Sequence, residues 1–152
     1  MIVFWYQKVA NLWCHSMEVS YFLTITITNS NGNVRFRAIT EKAHIKKGQN
    51  VFIVGIGGGV ALTALQICVA LGVNVYVSSS DENKIKKAVE LGAKGGVNYR
   101  NEKWPVELGA LIKANTPEQP LLDAIIDQAG GDIMIKTARI MKDGGIVAVY
   151  GM

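Results

Sequence analysis

The sequence predicts an α/β fold built on a doubly wound parallel sheet, and three observations predict it. From Asn50 onward, short runs rich in Val and Ile alternate with helical stretches of similar spacing, the pattern of a parallel sheet covered on both faces. The stretch NVFIVGIGGGVA, residues 50–61, passes from an apolar run through a glycine cluster into a second apolar run without a spacer, as a strand, tight turn and helix do. Gly92, Gly130 with Gly131, and Gly144 with Gly145 stand where elements should end. Right-handed crossovers then leave few topologies, of which the doubly wound one is the simplest.

Taken in order, residues 1–20 carry Trp5, Tyr6 and Trp13 without a clean period. In YFLTITIT, residues 21–28, Leu23, Ile25 and Ile27 alternate with threonines, which predicts a half-buried strand. NSNGN, residues 29–33, is turn chemistry. Phe36, Ile39, Ala43 and Ile45 approach helical spacing and lead to Lys46, Lys47 and Gly48, so a helix capped at Gly48 is expected. Val51–Gly55 reads as a strand, and VALTALQICVALG as the first helix after it. VNVYVSS is the second strand, and a helix from about Asp81 to Leu91 buries Ile85, Ala88 and Val89. GVNY is the third strand, Val106–Asn115 the third helix, LLDAIID the fourth strand, DIMIKTARIMKD the fourth helix and IVAVYG the fifth strand.

The glycine turn is where chemistry is expected. The first N–H groups of a helix have no partner within it, and the helix dipole adds partial positive charge there. Side chains at Gly57, Gly58 or Gly59 would stand between that backbone and a bound phosphate. Read as G-x-G-x-x-G, the segment has Gly55 and Gly57 in place but ends on Val60; read as G-x-x-G-x-x-A, it has Gly55, Gly58 and Ala61. The second is preferred, because small Ala61 lets helix and sheet approach. The amides of Val60 and Ala61 complete the predicted pyrophosphate cradle.

Composition narrows the class. The 152 residues suit one domain with one core. Hydrophobic residues make up 49% and charged residues 18%, a globular balance. The formal charge is +4, but the lysines are scattered, so solvated helix faces are expected rather than a nucleic-acid surface. Two cysteines, Cys14 and Cys68, make no disulfide framework. Neither a membrane span nor a signal peptide is legible, and a cytoplasmic protein is expected.

From about Val34 to the end, the sequence resembles the cofactor-binding domain of medium-chain dehydrogenase/reductases, nearest to quinone oxidoreductases and zinc-type alcohol dehydrogenase-like proteins. The segments that carry this are AHIKKGQNVFIVGIGGGVALTALQICVALGVNVY, ELGAKGGVNYR, DAIIDQAGG and KDGGIVAVYGM, in that order. The resemblance implies a Rossmann-type NAD(P)-binding domain over residues 34–152, ending after its fifth strand, with residues 1–33 as an extension of another kind. It implies hydride transfer between the cofactor and a carbonyl, quinone or enone in full-length relatives. The family's GroES-like catalytic domain and GHE-type zinc motif have no counterpart here. The chain therefore resembles a fragment, expected to bind a dinucleotide with little turnover, and neither a metal site nor a catalytic residue is expected in it.

An NAD-preferring chain places an acid about 20 residues beyond the glycines, to bond the ribose hydroxyls. Here that region is Ser78, Ser79 and Ser80, with Lys84 following in the first turn of the next helix. A cation there suits a 2′-phosphate, and Tyr99 matches the family's NY element, whose tyrosine contacts the adenosine phosphate. Ser79, Ser80, Lys84 and Tyr99 thus favour NADP(H) over NAD(H). Ser80 also reads as a plain helix N-cap, and Asp81 or Glu82 could reach the ribose and restore NAD. Asp127, Gln128, Ala129 and Gly130 should face the glycine turn across the switch point, near the nicotinamide ribose; Asp127 reads equally as the cap of its own turn. Gly151 matches a family position near the nicotinamide. Two rivals stand beside this reading. One is a noncatalytic association module, with an open edge at VAVYGM and a homodimer as its product; the other is an S-adenosylmethionine site, less suited to a glycine turn shaped for a pyrophosphate.

Overall fold

The computed structural model describes residues 44–128 and 130–149. Strand β1 (Asn50–Ile53) is followed by α1 (Gly59–Ala70), β2 (Asn74–Ser79), α2 (Glu82–Glu90) and β3 (Gly95–Asn98). Then come α3 (Trp104–Asn115), β4 (Leu122–Asp127), the short α4 (Ile133–Thr137), a 3-10 turn at Ala138–Ile140, and β5 (Met141–Val149). The strands form one sheet in the order β3-β2-β1-β4-β5, every neighbouring pair parallel. The chain winds outward from β1 to β3, then returns to the far side of β1 for β4. This is the Rossmann-type α/β fold that the alternation predicts. It places the turns after β1 and β4 side by side at the carboxyl ends of neighbouring strands, where such sheets form their crevice.

Why these segments become strands follows from their two-sided burial. Side chains alternate across a sheet, so Val51 and Ile53 enter one apolar cluster with Ala61, Ala64, Leu65, Cys68, Ile85 and Ala88 from α1 and α2. Phe52 and Val54 enter the other, with Trp104, Leu108 and Ile112 from α3. Phe52 and Trp104 stack with ring centroids 5.7 Å apart. Each fully buried side chain of this size contributes about 1.5–3 kcal/mol, so these central strands are apolar throughout and not merely alternating. Gly96 makes the same point from the other side. A Cβ there would stand 2.7 Å from Ile85 Cγ2 and 3.0 Å from Val77 O, so α2 lies close on β3 because that strand is bare.

Five expectations are corrected, the first being that Val89, expected in the buried stripe of α2, is exposed, while Ile85 and Ala88 are buried. Residues 44–49 are irregular chain and a turn, not the end of a helix; Gly48 takes φ +85° while its N–H donates to Gly72 O at 3.0 Å. The rest of that expected helix, like the strand over residues 21–28, lies outside the described residues. Strand β1 ends at Ile53, before Val54 and Gly55. The third helix starts at Trp104, not Val106, because Trp104 is buried against Phe52 and Pro105 is tolerated in a first turn, where its missing N–H has no helical partner. The fourth helix breaks up after Thr137, and Met141 already pairs with Leu122 in the sheet. The register shifts between Leu122 and Ala124, opposite a bulge that Gly144 permits with φ +76°.

The amino end of the sheet is tied by polar groups. Asn50, 1% exposed, donates through its side-chain amide to Thr116 Oγ1, Gln119 O and Leu121 O at 2.9–3.0 Å. Asp123 accepts from Asn50 N–H at 2.9 Å and from Gln119 Nε2 at 3.0 Å, with Lys142 Nζ at 3.5 Å. These bonds fasten the loop between α3 and β4 to the start of β1. Cys68 is wholly buried in α1, and desolvation pushes its thiol up to about 12, so it packs as a small apolar side chain.

Candidate functional site

The glycine turn joins β1 to α1 across the crevice between β1 and β4. Val54 N–H still donates to Ile126 O, and Ile56 N–H to Ser78 O, each at 2.9 Å, so the turn leaves the sheet held from both sides. Of the four glycines only Gly55 needs a left-handed backbone, with φ +72°. Its N–H donates to Ser78 Oγ at 3.2 Å. Ser78 is thus a strut for the turn, a role that one member of the run Ser78, Ser79 and Ser80 does not announce in sequence.

Gly58 is the N-cap of α1 with φ −90° and ψ 150°, a conformation open to any residue. No side chain caps this helix and no acid lies in its first turn; the first helical bond runs from Leu62 N–H to Gly58 O. The amides of Gly59, Val60 and Ala61 precede that bond and belong to the group a helix cannot satisfy itself. Ala61 is fully buried and packs in the cluster between α1 and the sheet, as the G-x-x-G-x-x-A reading requires.

Two side chains from distant segments close on this turn. A Cβ built on Gly57 would stand 3.1 Å from Lys84 Nζ, and one on Gly58 would stand 2.8 Å from Gln128 Oε1. Lys84 rises from the first turn of α2, and Gln128 follows the last residue of β4. The cradle that side chains would fill is therefore bordered by a cation on one side and an amide on the other. Sequence reasoning places Lys84 beside Ser80, on the adenosine side; the structure brings its ammonium back to the glycines as well.

The adenosine side is built from the ends of β2 and β3. Ser79 Oγ accepts from Asp81 N–H at 3.1 Å, and Tyr99 N–H donates to Ser79 O at 3.2 Å, so Ser79, Ser80 and Tyr99 are neighbours. Asp81, not Ser80, caps α2, accepting from Asn83 N–H at 2.9 Å. Glu82 Oε1 accepts from Asn98 Nδ2 at 3.0 Å. Both acids weighed as ribose ligands thus hold partners inside the fold. On the other side of the crevice Asp127 is fully buried, and its Oδ1 accepts from Gly130 N–H at 3.1 Å, which fixes the turn after β4. Ala129 and Gly151 lie outside the described residues.

With this geometry in place, comparison with known proteins is informative. The sequence profile of the zinc-binding dehydrogenase family matches residues 59–152. The chain belongs to that family. It is 47% identical over 116 residues to the zinc-type alcohol dehydrogenase-like protein YogA of Leptosphaeria maculans, an alignment covering 75% of this chain and 32% of that protein. It is 31% identical over 116 residues to the quinone oxidoreductase of Pongo abelii, covering 76% of this chain and 34% of the relative. The crystal structure of an NAD-dependent alcohol dehydrogenase superposes with a TM-score of 0.63 at 25% identity, over 77% of this chain and 34% of that one. The chain spans about a third of the length of each of these relatives, and the matching part is the cofactor-binding domain of a medium-chain dehydrogenase/reductase. Despite the family's name, the described residues contain no group of three or more His, Cys, Asp or Glu able to hold a metal ion. Among the described residues no helix is long and apolar enough to cross a membrane.

Proposed function

We propose that this chain binds NADP(H) in preference to NAD(H), as the cofactor-binding unit of an oxidoreductase that acts on a carbonyl, quinone or enone. The observation that carries the reading is the pairing of Lys84 over Gly57 with the engagement of Asp81 and Glu82 elsewhere. A 2′-phosphate needs a cation and repels acids; a bare ribose needs a free acid. In this reading the pyrophosphate lies over Gly57, Gly58 and Gly59, with the amides of Val60 and Ala61, and Gly55 shapes the turn that presents them. Ser79, Ser80, Lys84 and Tyr99 hold the adenosine end, and Asp127, Gln128, Ala129 and Gly151 line the nicotinamide end.

The bound cofactor supplies the hydride chemistry. What the chain's residues do is bind and orient. Lys84 offsets phosphate charge, the glycines admit the phosphate to backbone N–H groups, and Asp127 holds its turn at a fixed distance from α1. These 152 residues alone turn over little substrate, since they match about a third of their relatives.

A thermal-shift titration with NADPH and NADH in parallel, repeated on Lys84→Ala, tests this. Ligand at 100 times its Kd stabilises the native state by about 2.7 kcal/mol, an easily read shift. The expected result is a larger shift with NADPH that Lys84→Ala reduces. Equal shifts with both nucleotides would refute the preference, and no shift with either would refute the site. Reduction of a quinone panel at normal family rates would refute low turnover. A second reading, self-association, draws on β5 standing at the end of the described sheet; light scattering at twice 16.5 kDa without nucleotide binding would favour it.

A further inference from the structure

We infer that the fold binds one internal water molecule between Tyr76 Oη, Asn50 Oδ1 and Thr116 Oγ1, a polar pin joining β1, β2 and the end of α3. It is independent of the dinucleotide reading, since Asn50 and Thr116 lie at the opposite end of the sheet from the glycine turn. Side chains alternate across a sheet, so Asn50 shares a face with Phe52, whose partner in β2 is Tyr76. Tyr76 therefore stands one diagonal step from Asn50, on the face that α3 covers. Tyr76 is fully buried and Asn50 is 1% exposed. Yet Tyr76 Oη and Asn50 Oδ1 are buried atoms with no hydrogen-bond partner in the protein. Such groups are costly and rare in folded chains.

Thr116, the C-cap of α3, brings the two together. Its Oγ1 accepts from Asn50 Nδ2 at 3.0 Å. Burial raises the Tyr76 pKa and the Thr116 side chain draws it partly back, so the phenol oxygen lies beside that hydroxyl without pairing with it. The donors and acceptors can then be counted. The Thr116 proton is directed to Ile112 O at 2.9 Å, with Gln119 O at 3.3 Å, and Asn50 takes one of its two lone pairs. The Asn50 amide nitrogen faces three acceptors, which fixes the carboxamide's orientation and leaves Oδ1 in need of a donor. What remains is one phenol proton without an acceptor, and two oxygens with lone pairs to offer. A water molecule matches this set: it accepts from Tyr76 and donates to Asn50 and Thr116, making the three bonds usual for a buried water. The neighbouring Phe52, Leu108, Ile112 and Leu122 are apolar and offer no side-chain substitute.

The test uses the full chain and Tyr76→Phe, which keeps the packed ring and removes only the hydroxyl. A crystal structure of the wild type should show an ordered water within about 3.2 Å of all three oxygens. In solution, a water-selective nuclear Overhauser experiment should give a cross-peak between a long-lived water and the Asn50 side-chain amide protons, and Tyr76→Phe should weaken or abolish it while leaving the amide resonances of α1 in place. A wild-type structure in which Tyr76 Oη bonds directly to Asn50 Oδ1 or Thr116 Oγ1, with no water between them, overturns the inference. So does the lack of the cross-peak in the wild type, or a cross-peak that Tyr76→Phe leaves at full strength. Should Tyr76→Phe fail to fold, the wild-type density and cross-peak decide by themselves.

Discussion

Gly55 and Gly58 should fail in opposite ways when each is replaced by alanine, although they stand three positions apart in one turn. At Gly55 the backbone takes φ +72°, and a Cβ would meet nothing within 4 Å. Alanine there pays the left-handed penalty of about 1–2 kcal/mol per residue without obstructing anything. For a chain of this size each kcal/mol moves Tm by about 2–4 °C, so Gly55→Ala should lower Tm by roughly 2–8 °C and leave the NADPH Kd nearly unchanged at temperatures where the protein is folded. At Gly58 the φ of −90° and ψ of 150° suit alanine, and the atom met at 2.8 Å is the far end of Gln128, which can turn away. Stability should therefore stay within about 1 kcal/mol of wild type. The new methyl stands in the cradle instead, and overpacking of about 1–3 kcal/mol corresponds to a loss of roughly five- to 150-fold in NADPH affinity. Thermal melts followed by fluorescence titration at one temperature separate the two effects. An unchanged Tm in Gly55→Ala, or wild-type NADPH affinity in Gly58→Ala, would refute the assignment of strain to one glycine and clearance to the other.

Three further outcomes follow from the packing. Asn50→Ala removes a side-chain amide whose two N–H groups reach three acceptors, in a residue 1% exposed, and at about 0.5–1.5 kcal/mol for each N–H should cost roughly 1–3 kcal/mol in denaturant unfolding; a loss below about 0.5 kcal/mol would show that the loop before β4 is held by other contacts. Gly96→Ala would press on Ile85 Cγ2 and Val77 O and should destabilise by about 1–3 kcal/mol, read in the same assay, while a neutral result would mean that α2 is free to lift from β3. Cys68, raised to about 12 from its ordinary 9.0, stays protonated in the fold where the unfolded chain ionises. Its contribution is therefore complete below pH 9.0 and is lost progressively as pH rises toward about 12. In a Cys14→Ser background the folded protein should resist iodoacetamide at pH 8, and Cys68→Ala should flatten this part of the alkaline stability slope; rapid labelling of the folded protein would refute the burial.

Much of this was legible in the chain, and what was not has a physical cause. Parallel strands buried on both faces must be apolar, so β1, β2 and β4 stood out as Val- and Ile-rich runs, and the glycines between β1 and α1 marked the place where a backbone is left bare. Local signals misled where a long-range contact overrode them. Trp104 joins α3 because Phe52, far away in sequence, stacks on it. Met141 leaves the fourth helix because Leu122 pairs with it, and Asp81 takes the cap that Ser80 was equally able to supply.

By itself, the order of apolar runs and glycines determined the fold class and the position of the bare glycine turn, because burial and backbone clearance are demands each residue meets locally. Only the tertiary structure decided which side chains border that turn. Lys84 and Gln128 come from separate crossovers and meet over Gly57 and Gly58 because the sheet reverses its winding between β1 and β4, and no spacing along the chain records that meeting.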